Sequence, residues 1–414
     1  MRSFRLVFPG LRECVAMTAS RSGIPQVIVL VPLALKGHRD CFEGILRYAR
    51  VNGPWRLYRR EGRTGEQRLR DMKRWGCSGI ITGACTLREA RAIAGIRVPV
   101  VLYEPDPRML VDGHPLSKYS CLRVDSFATG EHAARFFLDR HYERFAFVGG
   151  GQDMYWSRER GEGFRKTVEA AGGTVSEYRA STAEERHDWA IEQPRMEAWL
   201  KSLPKPVALF AAMDGRARQV LDACLDAGIS VPEEVAVLGV DDDPLICEAT
   251  FPTLSSIQHN SEHAGYLLAE HLDKLMRGKR LRQRVDWIKP TRVVKRRSTE
   301  ATAIADKQVA RACEYIWREA GHQAIGVTDV VSLFGSSRRY AETRFKTVVG
   351  RTIMEEIRRV KLERVCALLS ETNLSIGEIA QQCDFARESH LAFVFRKQHN
   401  MTMSEYRAAT RRLA

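Results

Sequence analysis

The sequence predicts a two-lobed α/β domain of parallel, doubly wound sheets, followed by an all-α domain with two helix-turn-helix units. Three observations carry this prediction. At 414 residues the chain is too long for one ordinary domain. From Gln26 to Asp243 strand-like and helix-like segments alternate. From Thr328 onward, two pairs of short helices each show an apolar back and a polar, arginine-rich front.

In the first series, QVIVLVP is a buried strand, HRDCFEGILRYARVNG a helix stopped by Gly53, and WRLYRREG a second strand. Leu69, Met72 and Trp75 mark a helix, CSGIITG a strand, residues 87–94 a helix and VPVVLYE a strand. Such repetition gives a parallel sheet whose ligands bind at the carboxyl ends of the strands. After a break over residues 105–120 the pattern resumes with YSCLRVD, a helix over 130–140, RFAFVGG and a helix over 160–171. PVALFAAMD, a helix over 217–227 and VAVLGVDDD follow. Two lobes of similar size imply a hinge and a cleft that closes on a small ligand. GGG at 149–151 lacks both the GxGxxG spacing and the Lys-Ser/Thr of a phosphate loop, so it reads as a turn at a strand end.

In TDVVSLFGSSRRYAETRFKTVVG, Thr328 is a suitable N-cap, Val330, Val331, Leu333 and Phe334 form an apolar face, and Gly335 ends the helix before two serines cap the next. That next helix carries Ala341, Phe345 and Val348 on one stripe and presents Ser337, Arg338, Arg339, Glu342, Thr343 and Lys346 to solvent. The pattern repeats in SIGEIAQQCDFARESHLAFVFRKQHNMTMSEYR. There Ser375 caps a helix with Ile376, Ile379 and Ala380 inward, and Asp384-Phe385 makes the turn. The following helix buries Leu391, Val394 and Phe395 and leaves Arg387, Glu388, Ser389, His390, Arg396 and Lys397 outside. A helix over 353–370, with Leu362, Val365 and Leu369 inward, joins the two units and sets their separation. One such helix alone reads equally well as an ordinary surface helix. Two in tandem suit the major groove, where Arg pairs with guanine and the other groups hold phosphates.

The net charge of +14, from 65 basic and 51 acidic residues, favours a polyanionic partner. Residues 301–414 hold 18 Lys plus Arg against 13 Asp plus Glu, and Arg277 to Arg297 hold ten basic residues against one acid, Asp286. That basic stretch reads as a solvated linker or as a phosphate contact. Ten cysteines, with no CxxC pair and no Cys/His ligand spacing, fit a reduced cytoplasm and no metal site. No Ser/His/Asp nucleophile arrangement stands out, so neither an enzyme nor a cofactor is expected. MRSFRLVFPGLRECVAMTASRSG has no apolar core with a small-residue cleavage site, which argues against export; Met17 is an alternative start to Met1. No stretch reaches the roughly 18 apolar residues of a membrane span, so no membrane partner is expected.

The tandem units resemble the DNA-binding domain of AraC-type regulators, on SSRRYAETRFK with Gly350 and on IAQQCDF and FRKQHNMTMSEYR. Where that family has a turn glycine, and then a glycine before Thr-Pro, this chain has Asp384, Asn400 and Thr402-Met403. Asp and Asn tolerate a left-handed backbone best after Gly, so both turns are expected to survive. A second resemblance runs through VDSFATGEHAARFFL, RFAFVGG, RERGEGF, AAMDGRARQVL, GISVPEEVAVLGVDDDPL and PTLSSI. These are similar, in order, to the sugar-sensing domain of LacI-type repressors, itself like periplasmic sugar-binding proteins. LacI-type repressors carry their DNA-binding domain at the N-terminus, whereas here it follows the sensor. This order, with the junction RVVKRRSTE, is similar to regulators of pentose operons and implies a D-xylose-like effector.

The resemblance places Arg160 of RERGEGF on a sugar hydroxyl, and Asp214 of AAMDGRA and Asp241 of GVDDD as acids after successive strands. It gives Asp125 of RVDSFATG a weaker place, while Trp156, four residues before Arg160, is positioned to stack on the sugar ring. Asp214 and Asp241 read alternatively as helix N-caps, Trp156 as a packing residue, and His38 and Arg39 as solvated helix-start residues. The implied organisation is a lead over 1–24, a sugar-sensing domain over 25–292, a basic linker over 293–305 and a DNA-binding domain over 306–414. The expected protein is a cytoplasmic, homodimeric, sugar-responsive transcription regulator. Its partners would be double-stranded DNA, a small sugar and, for an activator, RNA polymerase. The alternatives are a repressor with a different ligand and a sugar-binding transport or chemosensory protein, which would leave the C-terminal motifs unexplained. Each subunit would set its two reading helices in successive major-groove segments, roughly 34 Å apart.

Overall fold

The computed structural model describes residues 23–59, 76–83, 85–151, 154–178, 189–281, 284–300, 304, 306–321 and 323–410. The helix expected around Leu69 to Trp75, most of the lead and Cys14 lie outside them. The chain opens with β1 (Gln26–Leu30), α1 (Lys36–Asn52), β2 (Arg56–Arg59), β3 (Gly79–Thr82), α2 (Leu87–Ile96) and β4 (Val100–Tyr103). Next come β5 (Ser120–Val124), α3 (Ser126–Leu138), β6 (Phe145–Val148), α4 (Tyr155–Ala170), β7 (Val175–Tyr178) and α5 (Trp189–Ser202). They lead to β8 (Val207–Ala211), α6 (Asp214–Ala227), β9 (Val235–Val240) and the short α7 (Pro244–Cys247). Then follow β10 (Ser255–His259), α8 (Ser261–Met276), β11 (Val285–Ile288) and β12 (Pro290–Val294).

Two six-stranded sheets result, in the orders β11-β5-β4-β3-β1-β2 and β12-β10-β9-β8-β6-β7. The inner pairs are parallel and β12 runs antiparallel to β10. Every residue of GIIT, VVLY, VALFA and VAVLGV is buried, as strands covered by helices on both faces must be. YSCLRVD, grouped by sequence with the second series, instead forms β5 beside β4 in the first sheet. The boundary between the chain's two compact units falls inside β5 and again within β11, so a strand pattern alone does not reveal its sheet.

Several helices begin earlier than the sequence suggests, α6 at Asp214 among them. Asp125 caps α3 by accepting the Ala128 N–H at 2.9 Å, which puts Gly130 inside the helix instead of at its start. Helix α4 starts at Tyr155, so Trp156 and Arg160 share one helix a turn apart. The elements β7, α5, α8, β11 and β12 were not anticipated. The basic stretch after Lys289 is stitched to the second sheet: Thr291 Oγ1 donates to the Gln258 carbonyl, Ser298 Oγ to the Val237 carbonyl at 2.7 Å, and Arg296 to Glu248 and Asp242 at 2.6 and 2.9 Å.

The C-terminal helices are α9 (Lys307–Glu319), α10 (Val327–Ser332), α11 (Arg338–Val349), α12 (Ile353–Glu371), α13 (Ile376–Gln382), α14 (Glu388–His399) and α15 (Met403–Thr410). They form two cores. Val309, Ile316, Val330, Phe345, Ile353 and Ile357 fill the first; Leu362, Val365, Leu369, Ile379, Leu391 and Phe395 fill the second. Helix α12 feeds both, its first half one core and its second half the other. Gly326 caps α10, not Thr328, because Asp329 reaches back to accept the Gly326 N–H at 2.8 Å. The buried stripe of α11 is Ala341, Phe345 and Val349, with Val348 half-buried beside it. Asp384 and Asn400 adopt φ of 54° and 53°, the left-handed conformation their residue types tolerate.

Candidate ligand site and DNA-reading helices

The carboxyl ends of β8 and β9 and the start of α4 meet around Arg160, which is only 6% exposed. Its Nη1 donates to the Ala212 carbonyl at 2.5 Å, Nη2 lies 3.8 Å from Asp241 Oδ1, and the guanidinium carbon stands 4.9 Å over the Trp156 ring. Its buried Nε has no hydrogen-bond partner among the described residues. A buried donor without a partner is costly unless a ligand supplies the acceptor.

Arg160 owes its position to a close helix crossing. A Cβ on Gly130 of α3 would sit 2.0 Å from the Arg160 carbonyl oxygen, and one on Gly163 of α4 would sit 2.1 Å from that of Phe127. Only glycine lets the two backbones approach so far. Trp156 packs against the aromatic core under the second sheet and beside Gly150, whose N–H donates to Ser157 Oγ at 2.9 Å; the GGG segment is thus a turn that seats the start of α4.

Asp241 and Asp242 follow β9 with φ of 108° and 52°. Two successive left-handed non-glycine residues store strain of the kind found at functional sites. The turn is held from behind. Asp214 Oδ2 accepts the Asp243 N–H at 2.8 Å, its Oδ1 accepts from Ser256 Oγ at 2.5 Å, and Ser256 Oγ in turn accepts the Asp242 N–H at 2.9 Å. Asp214 is 1% exposed, and burial pushes its carboxyl up to about 8, with the nearby Asp241 adding to the rise. It is not an N-cap, since Met213 occupies that position. Burial also raises Asp241, against the pull of Arg160 and Lys36.

The structure therefore brings Arg160, Asp241 and Trp156 together, sets Asp214 behind them as a brace, and uses Asp125 to cap α3. Arg39, read from the sequence as a solvated helix-start residue, instead pairs with Asp243 at 2.7 Å. Sequence reasoning missed His259, which is 5% exposed and shares a 2.9 Å hydrogen bond with Thr129 Oγ1. Burial holds His259 well below the ordinary imidazole range, and the Arg160 charge adds to this. Asp243 was visible in the GVDDD run, but no pattern marks His259.

On the reading helices, Ser337, Arg338, Arg339, Thr343 and Lys346 of α11 and its cap are exposed, with Glu342 half-buried and paired to Arg338 at 2.9 Å. Arg387, Glu388, Ser389, His390, Arg396 and Lys397 are exposed on α14 and its cap. Tyr340 and Phe393, which no reading of the sequence singled out, are also exposed on these helices, at 48% and 69%.

Residues 134–299 match the model of the periplasmic binding protein-like domain, and residues 330–409 that of a helix-turn-helix domain. The xylose operon regulatory protein of Escherichia coli (strain K12) is 32% identical over 374 residues, 89% of this chain and 93% of that protein. The chain belongs to the xylose operon regulator family. The family's protein from Haemophilus influenzae is 33% identical over 288 residues, 69% of this chain and 74% of its own. A solved structure named as the xylose-binding transcription activator xylR is 28% identical, covers 94% of this chain and 98% of its own, and has a TM-score of 0.58. The cellobiose complex of the regulator CelR, 21% identical over 66% of this chain and 84% of its own with a TM-score of 0.54, shares the sensor fold. As a member of this family the chain is an AraC-type transcriptional regulator with a sugar-binding type of sensor domain and a helix-turn-helix DNA-binding domain. Among the described residues no helix is long and apolar enough to cross a membrane.

Proposed function

We propose that this regulator senses a pentose of the D-xylose type and, with the sugar bound, activates transcription as a homodimer on paired half-sites. The observation that carries the reading is the buried Arg160, with its unpartnered Nε, set between Asp241 and the Trp156 ring. Arg160 donates to sugar oxygens, Asp241 accepts from hydroxyl hydrogens, and Trp156 covers a C–H face of the ring. Asp214 acts indirectly by fixing the 241–243 turn, and Asp125 by fixing the start of α3. The names of the relatives supply the class of sugar; the residues supply only polyol recognition. Residues 25–299 serve as sensor and 306–414 as reader; the sensor extends past 292 because β12 and the segment to Ser298 pack on the second sheet.

On DNA, Arg338, Arg339 and Arg387 read base edges, while Ser337, Thr343, Lys346, Ser389, Arg396 and Lys397 hold phosphates. Glu342 and Glu388 orient the arginines or accept from cytosine, and His390 donates to either. Sugar and operator assist each other reciprocally, by about 1–3 kcal/mol. Calorimetry of the full chain against a panel of pentoses and hexoses tests the sugar site. D-xylose should bind, and Arg160→Ala and Asp241→Ala should lose binding with circular dichroism unchanged. Undiminished binding by both variants removes these residues from the site. Transcription with purified RNA polymerase tests the sign: sugar-dependent stimulation is expected, and sugar-dependent loss would make the protein a repressor.

A further inference from the structure

A cavity of about 610 Å³ lies between α3 and β12 on the sensor side and α9 and α12 on the reader side, all within one compact unit of the chain. Its size is that of a small-molecule pocket. Its charge is one-sided, for seven Arg and Lys side chains line it against two carboxylates, Asp139 and Glu363. Both carboxylates are already engaged. Asp139 faces Arg351 and Arg359 at 3.4 and 3.7 Å, and Glu363 holds Arg359 and lies 3.6 Å from Lys295.

Arg140 is the unbalanced member. It is 4% exposed, gives one hydrogen bond to the Phe136 carbonyl at 2.9 Å, and is stacked 3.5 Å from the Phe136 ring centre and 5.0 Å from that of Trp317. Among the described residues no carboxylate lies within ion-pair distance of it. Glu363 and Asp139 act on it only from beyond that distance, so burial still pulls the guanidinium down to about 10, and its stacked, preset plane is suited to a two-point contact with an oxyanion. Lys295 lines the same cavity, its side chain 42% exposed and its amine 3.6 Å from Glu363. Glu356 and Glu131, outside the lining, also engage Arg351, Arg359 and Arg135 at 3.3, 2.6 and 3.4 Å, so the cavity's cations outnumber the acids around it and Arg140, without a direct ion pair, carries the excess.

We propose that this cavity is a second effector site, distinct from the sugar site, which takes a small phosphate-bearing anion between sensor and reader. Arg140 supplies a planar fork and Lys295 a point charge, the pairing that recognises a phosphate group. An anion held there ties α3 and β12 to α12, and so ties operator affinity to a second metabolic signal by the reciprocity of linked binding.

Calorimetry of the full chain tests this with inorganic phosphate, glucose 6-phosphate and glucose as probes. The phosphate-bearing probes should bind saturably and glucose should not. Arg140→Gln and Lys295→Met should each weaken phosphate binding by at least about tenfold, with Arg160→Ala leaving it unchanged. Lys295→Met removes a single charge from the cavity wall and should leave D-xylose titration intact, so it keeps the test valid if Arg140→Gln fails to fold. Tighter binding of the ester assigns the site to a phosphorylated metabolite, and equal binding assigns it to free phosphate; either upholds an anion site. Absence of saturation below about 10 mM, affinity unchanged in Lys295→Met, or loss in Arg160→Ala would overturn it.

Discussion

Replacing Gly130 with Ala should disable the sugar site without changing any polar side chain. The new Cβ would lie 2.0 Å from the Arg160 carbonyl oxygen and 2.6 Å from the Phe164 nitrogen, both backbone atoms that have no rotamer to escape into. Ordinary contact begins near 3.4 Å, so α3 and α4 must part by roughly 1.4 Å along that line. Overpacking of this kind costs about 1–3 kcal/mol, a fall of roughly 2–4 °C in melting temperature per kcal/mol for a lobe of this size. The same displacement carries Arg160 away from the Ala212 carbonyl and Asp241. Loss of one charge-assisted hydrogen bond, about 1.5–3 kcal/mol, weakens sugar binding roughly 10- to 100-fold. Urea titration and D-xylose calorimetry on the same preparation separate the two effects. A useful control is Gly95→Ala in α2, where an added Cβ meets nothing within 4 Å and helix propensity alone should add about 0.5–1 kcal/mol. Wild-type stability together with wild-type affinity in Gly130→Ala would refute the idea that this crossing positions Arg160.

Other outcomes follow from the same structure. Lys346→Ala should weaken every operator variant alike and reduce the salt slope by about 1, whereas Arg338→Ala should relax preference at one base position; identical effects of the two on a sequence panel would argue against separate roles. Asn400, at φ 53°, should tolerate Gly with no loss and should cost about 1–2 kcal/mol as Val, measured as the urea midpoint of the isolated melting step of the helical domain; an unaffected Val variant would mean the left-handed turn is dispensable. The carboxyl of Asp214, raised to about 8, lends stability that is complete below the ordinary carboxylate range and fades as pH climbs toward 8. Asp214→Asn should flatten the fall in urea midpoint between about pH 5 and 8.5, and an unchanged slope would assign that fall to other groups.

What could be read from the chain by itself was local. Buried strand runs, helix caps and glycine stops marked most of the elements, and even the departures at Asp384 and Asn400 could be judged, since left-handed backbone tolerance belongs to a residue type. The outward faces of α11 and α14 were legible for the same reason: a helix with a 3.6-residue repeat announces which side is apolar. Tertiary structure decided what depends on distant partners. β5 joins the first sheet because of β4 and β11, and the basic segment ends on the second sheet because of Val237, Gln258 and Asp242. Asp214 is the sharpest case. An acid at a strand end is equally suited to capping, binding or bracing, and only Ser256, 42 residues later, turns it inward. Local propensity is written in neighbouring residues, but the use made of a carboxylate is set by which donors the packed sheets bring within about 3 Å of it.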